Sequence, residues 1–225
     1  MGVEPACRAV AVSPAEDVQR LAVLVHEVRS PVAALSAISE TFADEDLAGP
    51  GRLELSHLAI AACRGIERVV IDAAVASVRL EQLDVGALVR QAVSAAVLLG
   101  ARAETEVASD LPLVAADPVR LRQALDNLIA NALTHGGPEA AFVVRASPGV
   151  ASVFVSVEDF GSGVSPADQQ RIFDAGVRLD SGRPGSGLGL AVVRAIAEAH
   201  GGEVTLRSAP GEGATFTIAL PLRRS

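Results

Sequence analysis

Two long stretches near the start of the chain carry apolar residues at alternating steps of three and four, and that spacing constrains the fold more than any other feature. In the first, Leu21, Val25, Val28, Val32 and Leu35 lead on to Ser39 and Phe42; in the second, Leu55, Leu58, Ala62, Ile66, Val69, Ala73, Ala76 and Leu80 repeat the pattern. Such steps line side chains along one stripe of an α-helix, so both stretches read as long amphipathic helices. Ser13-Pro14-Ala15-Glu16 offers a start for the first: Ser13 caps, Pro14 occupies the first turn, and Glu16 completes a capping box. Ala43-Asp44-Glu45-Asp46 and Gly49-Pro50-Gly51 mark an acidic turn that neither helix would cross, so the two fold back as an antiparallel hairpin. One hairpin cannot bury both its faces. Two hairpins about a twofold axis can, and a homodimer built on a four-helix bundle is expected.

One histidine, His26, lies just off the first stripe, beside Glu27. At the rim of a bundle an imidazole is held by its neighbours yet open to an incoming molecule. The adjacent carboxylate can accept a ring proton, which suits a nucleophile with its base. Ser30 follows four residues later, one helical turn along and on the same face. Pro31 then removes a backbone hydrogen bond and bends the axis at a cost of about 3 kcal/mol, so its presence among good helix formers calls for a reason.

From about Leu83 the pattern changes to alternating helices and strands. Asp84 can cap a helix over 85–99, residues 103–107 read as a short strand, and Asp117-Pro118 opens a helix over 119–135. Strands follow at 141–146 and 153–158, then a loop-rich stretch to 187, a helix over 188–200, and a hairpin pairing 203–207 with 214–220. The fold class is therefore α+β: a helical hairpin followed by a two-layer α/β sandwich whose sheet is covered on one face. The expected division is a short lead over 1–12, the hairpin over 13–82 and the sandwich over 83–225.

Three motifs in the second half point to nucleotide chemistry. Asn127 and Asn131 are four apart on one helix face, while Leu121, Leu125, Leu128, Ile129 and Ala132 supply apolar contacts. Neutral oxygen ligands suit Mg²⁺, which takes its remaining ligands from water and phosphate. Asp159-Phe160-Gly161-Ser162-Gly163 ends a strand, where an acid can accept a hydrogen bond from an exocyclic amine such as adenine's, and Gly161 and Gly163 let the backbone approach a ring. Gly185-Ser186-Gly187-Leu188-Gly189-Leu190 feeds a helix whose free amides can bind phosphate. Its glycine spacing is not that of a dinucleotide-binding fingerprint.

Composition narrows the field. The 225 residues are half hydrophobic, enough for one or two domains with a sizeable core. A net charge of −8 argues against a nucleic-acid partner. All 19 basic residues are arginine, which rules out a Walker A loop and leaves arginine, backbone amides or metal to clamp phosphate. Cys7 and Cys63 suggest neither a disulfide framework nor a metal site, which fits a reducing compartment. No run of about 18 apolar residues exists and residues 1–12 do not read as a signal peptide. The chain as given therefore reads as soluble and cytoplasmic.

His26-Glu27-Val28-Arg29-Ser30-Pro31 resembles the phospho-acceptor box of sensor histidine kinases. The three motifs of the second half resemble, in order, the N box and the two glycine boxes of the ATP-binding fold shared by histidine kinases, DNA gyrase, Hsp90 and MutL. Ile172-Phe173-Asp174 is similar to the F box of that family, and Gly211-Glu212-Gly213-Ala214-Thr215-Phe216 to its closing glycine-threonine strand. The resemblance implies that ATP is the substrate and Mg²⁺ the metal, and that His26 is phosphorylated with Glu27 as its base. It further implies that Asn131, beside Asn127, coordinates Mg²⁺ and that Asp159 binds adenine. Gly161, Gly163, Gly185, Gly187 and Gly189, with Leu188, would shape the pocket and lid, and Thr215 would support the adenine site. A response-regulator receiver domain is the implied partner, with sensory input coming from a separate protein or a missing region, and Ser30 would position the water of a phosphatase reaction. Thr134 stands where the family has a basic residue, with His135 next to it; Gly176 stands near the place of the second F-box aromatic. The lid over 164–184 is short, with Arg171, Arg178 and Arg183 as its cations. Two other readings remain: a non-enzymatic phosphotransfer adaptor, and a gyrase-like ATPase, which gives His26 no role.

Overall fold

The computed structural model describes residues 14–42, 49–76, 78–136, 141–179 and 187–222, which fall into two units, Met1–Val69 and Val70–Ser225. In the first unit α1 (Pro14–Phe42) and most of α2 (Gly49–Val75) form the expected helices. The Ser13 cap and the connection at 43–48 lie outside the described residues. Gly49, Pro50 and Gly51, read from the sequence as turn, instead form the first turn of α2. Proline is tolerated there because its missing N–H would have had no intrahelical partner.

The inner stripe of α1 also differs from the expectation. Val28, Pro31 and Leu35 are half-buried and Ile38 is buried, whereas Val25 and Val32 are 51% and 45% exposed and Ser39 is exposed. The stripe takes a step of three from Leu35 to Ile38 rather than four to Ser39, keeping a single face turned inward. Pro31 faces Gly65 of α2, where an added Cβ would lie 3.7 Å from the proline Cβ, an ordinary contact distance. Leu53, Leu58 and Ile60 of α2 are exposed as well, so the hairpin keeps a second apolar surface.

α2 stops at Val75, leaving Ala76 and Leu80 of the expected stripe outside it. The cause is competition for its last groups. Arg120 Nη2 donates to the Ala73 carbonyl at 3.0 Å, and the Arg79 N–H donates to Asp117 Oδ2 at 2.8 Å rather than to a helical carbonyl. Next comes a pair of short strands unforeseen from the sequence, β1 (Glu81–Leu83) antiparallel to β3 (Val114–Ala116). Three residues are too few to show a period of two.

The rest of the second unit follows the expected order: α3 (Val85–Leu98), β2 (Arg102–Val107), α4 (Pro118–His135), β4 (Ala141–Pro148), β5 (Ser152–Asp159), α5 (Gly189–Ala199), β6 (Glu203–Ser208) and β7 (Ala214–Pro221). Asp84 caps α3 by accepting the Ala87 N–H at 2.9 Å, and Asp117 caps α4 by accepting those of Val119 and Arg120. The five strands lie in the order β2-β4-β5-β7-β6, with β2 parallel to β4 and every other pair antiparallel. The pairing of Val144 with Val157, and of Val157 with Phe216, puts the apolar alternates of three strands on one face. That face and the buried sides of α3, α4 and α5 make one core. On the opposite face Arg145 bridges Glu106, at 2.8 Å, and Glu158. Among the described residues of this unit the sheet is covered on one side only, as expected of a two-layer sandwich.

Candidate functional site

α4 divides its faces as its sequence requires. Leu121, Ala124, Leu125, Leu128, Ile129 and Ala132 are buried in the core, while Asn127, Ala130, Asn131, Thr134 and His135 face a cavity of about 450 Å³. The two asparagines are half-buried and sit on its wall. Asn127 Nδ2 donates to the Gly189 carbonyl at 3.3 Å, tying α4 to the first residue of α5.

The opposite wall comes from the end of β5 and the start of β7. Asp159, 4% exposed, pairs with Ala214 across the strands. Its Oδ1 accepts the Gly161 N–H at 3.0 Å. Burial pushes the Asp159 carboxyl above its ordinary value of 3.8, against backbone N–H bonds from Gly161 and Ala214 and the nearby His135, which act in the other direction. A carboxylate has about four lone-pair sites, so acceptor capacity remains for a ligand's amine. Gly161 itself does not line the cavity; a Cβ there would run into the His135 carbonyl, which explains the need for glycine where the loop passes the end of α4. Gly163, at φ +69°, lines the cavity and would bring any Cβ against the carbonyl of Ala209.

The third wall is the start of α5 with the preceding loop. Gly187 and Gly189 line the cavity. Gly187 accepts the Gly176 N–H at 3.2 Å, joining this loop to the turn after the 3-10 segment Arg171–Phe173, an element missed in the sequence. Leu188 is the N-cap of α5 and makes no side-chain cap hydrogen bond, so the first-turn amides are not taken by a side chain of their own cap. Gly185 lies outside the described residues. Phe173 stacks edge-on against Phe216 with centroids 6.2 Å apart, placing Ile172 and Phe216 on the cavity's apolar floor. Arg178 reaches the cavity from the lid side.

Thr215 does not belong here. It pairs with Glu158 and Arg207, while the alternation along β7 turns Ala214 and Phe216 toward the cavity. Neighbouring residues of a strand face opposite sides, so the hydroxyl of Thr215 is on the open face of the sheet. The register with Asp159 was the missing information: it identifies Ala214, which the sequence did not single out. His135 and Arg178 appeared in the sequence only as departures and lid cations, yet both line the cavity.

Among the described residues no group of three or more His, Cys, Asp or Glu could hold a metal ion. A cation at this site would draw on the Asn131 amide oxygen and on the ligand's own oxygens, an arrangement that suits Mg²⁺. In the first unit His26 lies within α1, and Glu27 and Ser30 are exposed on the same helix.

Comparison with known proteins gives this geometry a lineage. Residues 116–224 match the family described as histidine kinase-, DNA gyrase B- and HSP90-like ATPase. The chain is 35% identical over 228 residues to sensor protein DivL of Caulobacter vibrioides, covering 95% of this chain and 29% of that protein. It is 32% identical over 211 residues to sensor-like histidine kinase SenX3 of Mycobacterium tuberculosis, covering 87% of this chain and 52% of that protein. It thus spans about half or less of the length of these relatives. Among solved structures it is similar to full-length ShkA in complex with AMPPNP, with a TM-score of 0.65, 29% identity, and coverage of 95% of this chain and 47% of that one. It is also similar to the ATP-binding domain of PrrB from Mycobacterium tuberculosis, with a TM-score of 0.53, 29% identity, and coverage of 65% and 99%. No described helix is long and apolar enough to cross a membrane. With an N-terminal pair of long helices, a one-sided sandwich and this cavity, the chain is a homologue of the sensor histidine kinases of two-component systems, and its residues 116–224 belong to the histidine kinase-, DNA gyrase B- and HSP90-like ATPase family.

Proposed function

We propose that this chain is an ATP-dependent protein histidine kinase that phosphorylates itself on His26 and passes the phosphoryl group to an aspartate of a response-regulator receiver domain. The observation that carries the reading is the convergence of Asn127 and Asn131, Asp159, and the Gly187–Gly189 end of α5 on one cavity. Asp159 accepts a hydrogen bond from the exocyclic amine of adenine. The amides at the start of α5 and the Arg178 guanidinium face the phosphates. Asn131 holds Mg²⁺, which neutralises charge on the phosphate oxygens. Glu27 takes the ring proton of His26 as an imidazole nitrogen attacks the terminal phosphorus, and the bond to the ADP oxygen breaks.

In this reading residues 13–82 are the dimerisation and phospho-acceptor domain and 83–225 the catalytic domain. The exposed Val25, Val32, Leu53, Leu58 and Ile60 support pairing of two hairpins, since such a surface on a lone hairpin would face water. Ser30, exposed and one turn beyond His26, is placed to orient water on a regulator's aspartyl phosphate. The need for ATP puts the reaction in the cytoplasm. A phosphotransfer adaptor would have no use for the cavity.

The test is incorporation of labelled phosphate from Mg·ATP. His26→Ala should abolish acid-labile, base-stable label and leave nucleotide affinity unchanged, and Asn131→Ala should remove the Mg²⁺-dependent part of that affinity. Label retained in the His26→Ala protein would sink the assignment.

A further inference from the structure

α4 and α5 run antiparallel and are fastened to each other at two places. Near the cavity the fastening is the bond from Asn127 to the Gly189 carbonyl. At the other end of the pair stands His200, 1% exposed, directly after α5. His200 Nε2 accepts the Asp117 backbone N–H at 2.9 Å, and Nδ1 lies 2.7 Å from the Ile196 carbonyl. A backbone N–H only donates and a carbonyl only accepts, so the ring is the neutral tautomer with its proton on Nδ1.

Asp117 is no ordinary partner. Its Oδ1 accepts the Val119 and Arg120 N–H groups at 2.9 and 3.1 Å, and its Oδ2 accepts the Arg79 N–H at 2.8 Å. His200 therefore joins the end of α5 to the residue from which α4 starts. The nucleotide reading gives the two helices complementary tasks, α4 carrying Asn127 and Asn131 and α5 presenting the Gly187–Gly189 end. The spacing between those groups depends on how α5 sits along α4. Apolar contacts hold the helices together without a preferred direction, whereas a buried hydrogen bond is directional and costly to leave unmade.

We propose that His200 is a positioning residue for nucleotide binding, setting the register of α5 against α4 and so the spacing between Asn131 and the amides at the start of α5. This rests on the reading of the cavity as the ATP site. His200 touches no part of the cavity and acts entirely through the two helices.

Two substitutions separate the halves of the device. His200→Asn keeps a donor where Nδ1 stands but cannot reach Asp117; His200→Gln keeps an acceptor where Nε2 stands but gives up the donor to Ile196. With each protein held well below its own Tm, His200→Asn should weaken Mg·ATP binding about tenfold, the scale of one buried hydrogen bond, while His200→Gln stays close to the parent. A purely structural role would lower Tm in both and leave the affinity of the folded protein alone. Parental affinity in His200→Asn, or equal weakening in both, overturns the proposal. A second measurement needs no variant, because binding and positioning are reciprocal: saturating Mg·ATP must strengthen the Asp117–His200 bond. Hydrogen exchange of the Asp117 amide should slow on nucleotide addition by more than that of the Ala87 amide, which is capped by Asp84 on α3; equal slowing counts against the proposal. A parent protein that binds no nucleotide at all would instead remove the reading beneath it, and this proposal with it.

Discussion

Asp159 shows how one side chain is held ready at a cost to stability. Its carboxyl lies above its ordinary value of 3.8 chiefly because it is buried, so the folded chain binds that proton more tightly than the unfolded chain does. Stability then falls as pH rises from the unfolded value through the raised one, and the ionised group remains a net cost at neutral pH. Asp159→Asn should accordingly gain Tm relative to the parent as pH rises through that window, the difference levelling off above it. The same substitution should weaken Mg·ATP binding by about a hundredfold through loss of a charged acceptor. A difference in Tm that is flat from acid to neutral pH would contradict the account. The neighbouring strand supplies a second contrast at this scale. Thr215→Val should bind nucleotide as the parent does, whereas Ala214→Leu, which fills the space beside Asp159, should weaken binding more than tenfold in an equilibrium titration.

Among the elements, caps do unequal amounts of work. Asp84 accepts one N–H and starts a helix that bears no part of the cavity, so Asp84→Ala should cost about 1 kcal/mol in urea denaturation and leave nucleotide affinity alone. Asp117 accepts three N–H groups, including that of Arg79 in the segment arriving from α2. Asp117→Ala should cost about 2 to 3 kcal/mol, since three donors lose their acceptor where only one did before. Equal costs for the two variants would mean that the two further bonds of Asp117, that of Arg79 among them, contribute nothing. The end of α2 at Val75 follows from the same interactions, as Arg120 takes the Ala73 carbonyl.

The whole molecule divides its labour between two units. The last six residues of α2 belong to the second of them, so a fragment comprising Val70–Ser225 should bind Mg·ATP like the full chain and incorporate no phosphate. Loss of nucleotide binding in that fragment would place part of the site in the hairpin. The exposed apolar surface of the first unit makes a complementary prediction. Val32→Glu puts a charge on that surface, and sedimentation should show a monomer that still binds nucleotide; an unchanged dimer would place the interface elsewhere.

Much of this was legible in the sequence, because the signals were local. Capping acids, prolines in first turns and helical spacing depend on neighbours within a few residues, which is why α1, α3, α4 and α5 emerge with ends close to those expected. Asn127 with Asn131, Asp159 before its glycines, and Gly187 with Gly189 were legible for the same reason, and the fold brings all of them to one cavity. What depended on partners distant in the chain was not legible. The register of β5 against β7 decided that Ala214 rather than Thr215 stands beside Asp159. The bonds of Arg120 and Asp117 decided where α2 ends and drew His200 to the start of α4, 83 positions away in sequence from Asp117. A short pattern records which way a side chain points along its own element; which element it meets is settled only when the chain closes on itself and buried donors must find acceptors.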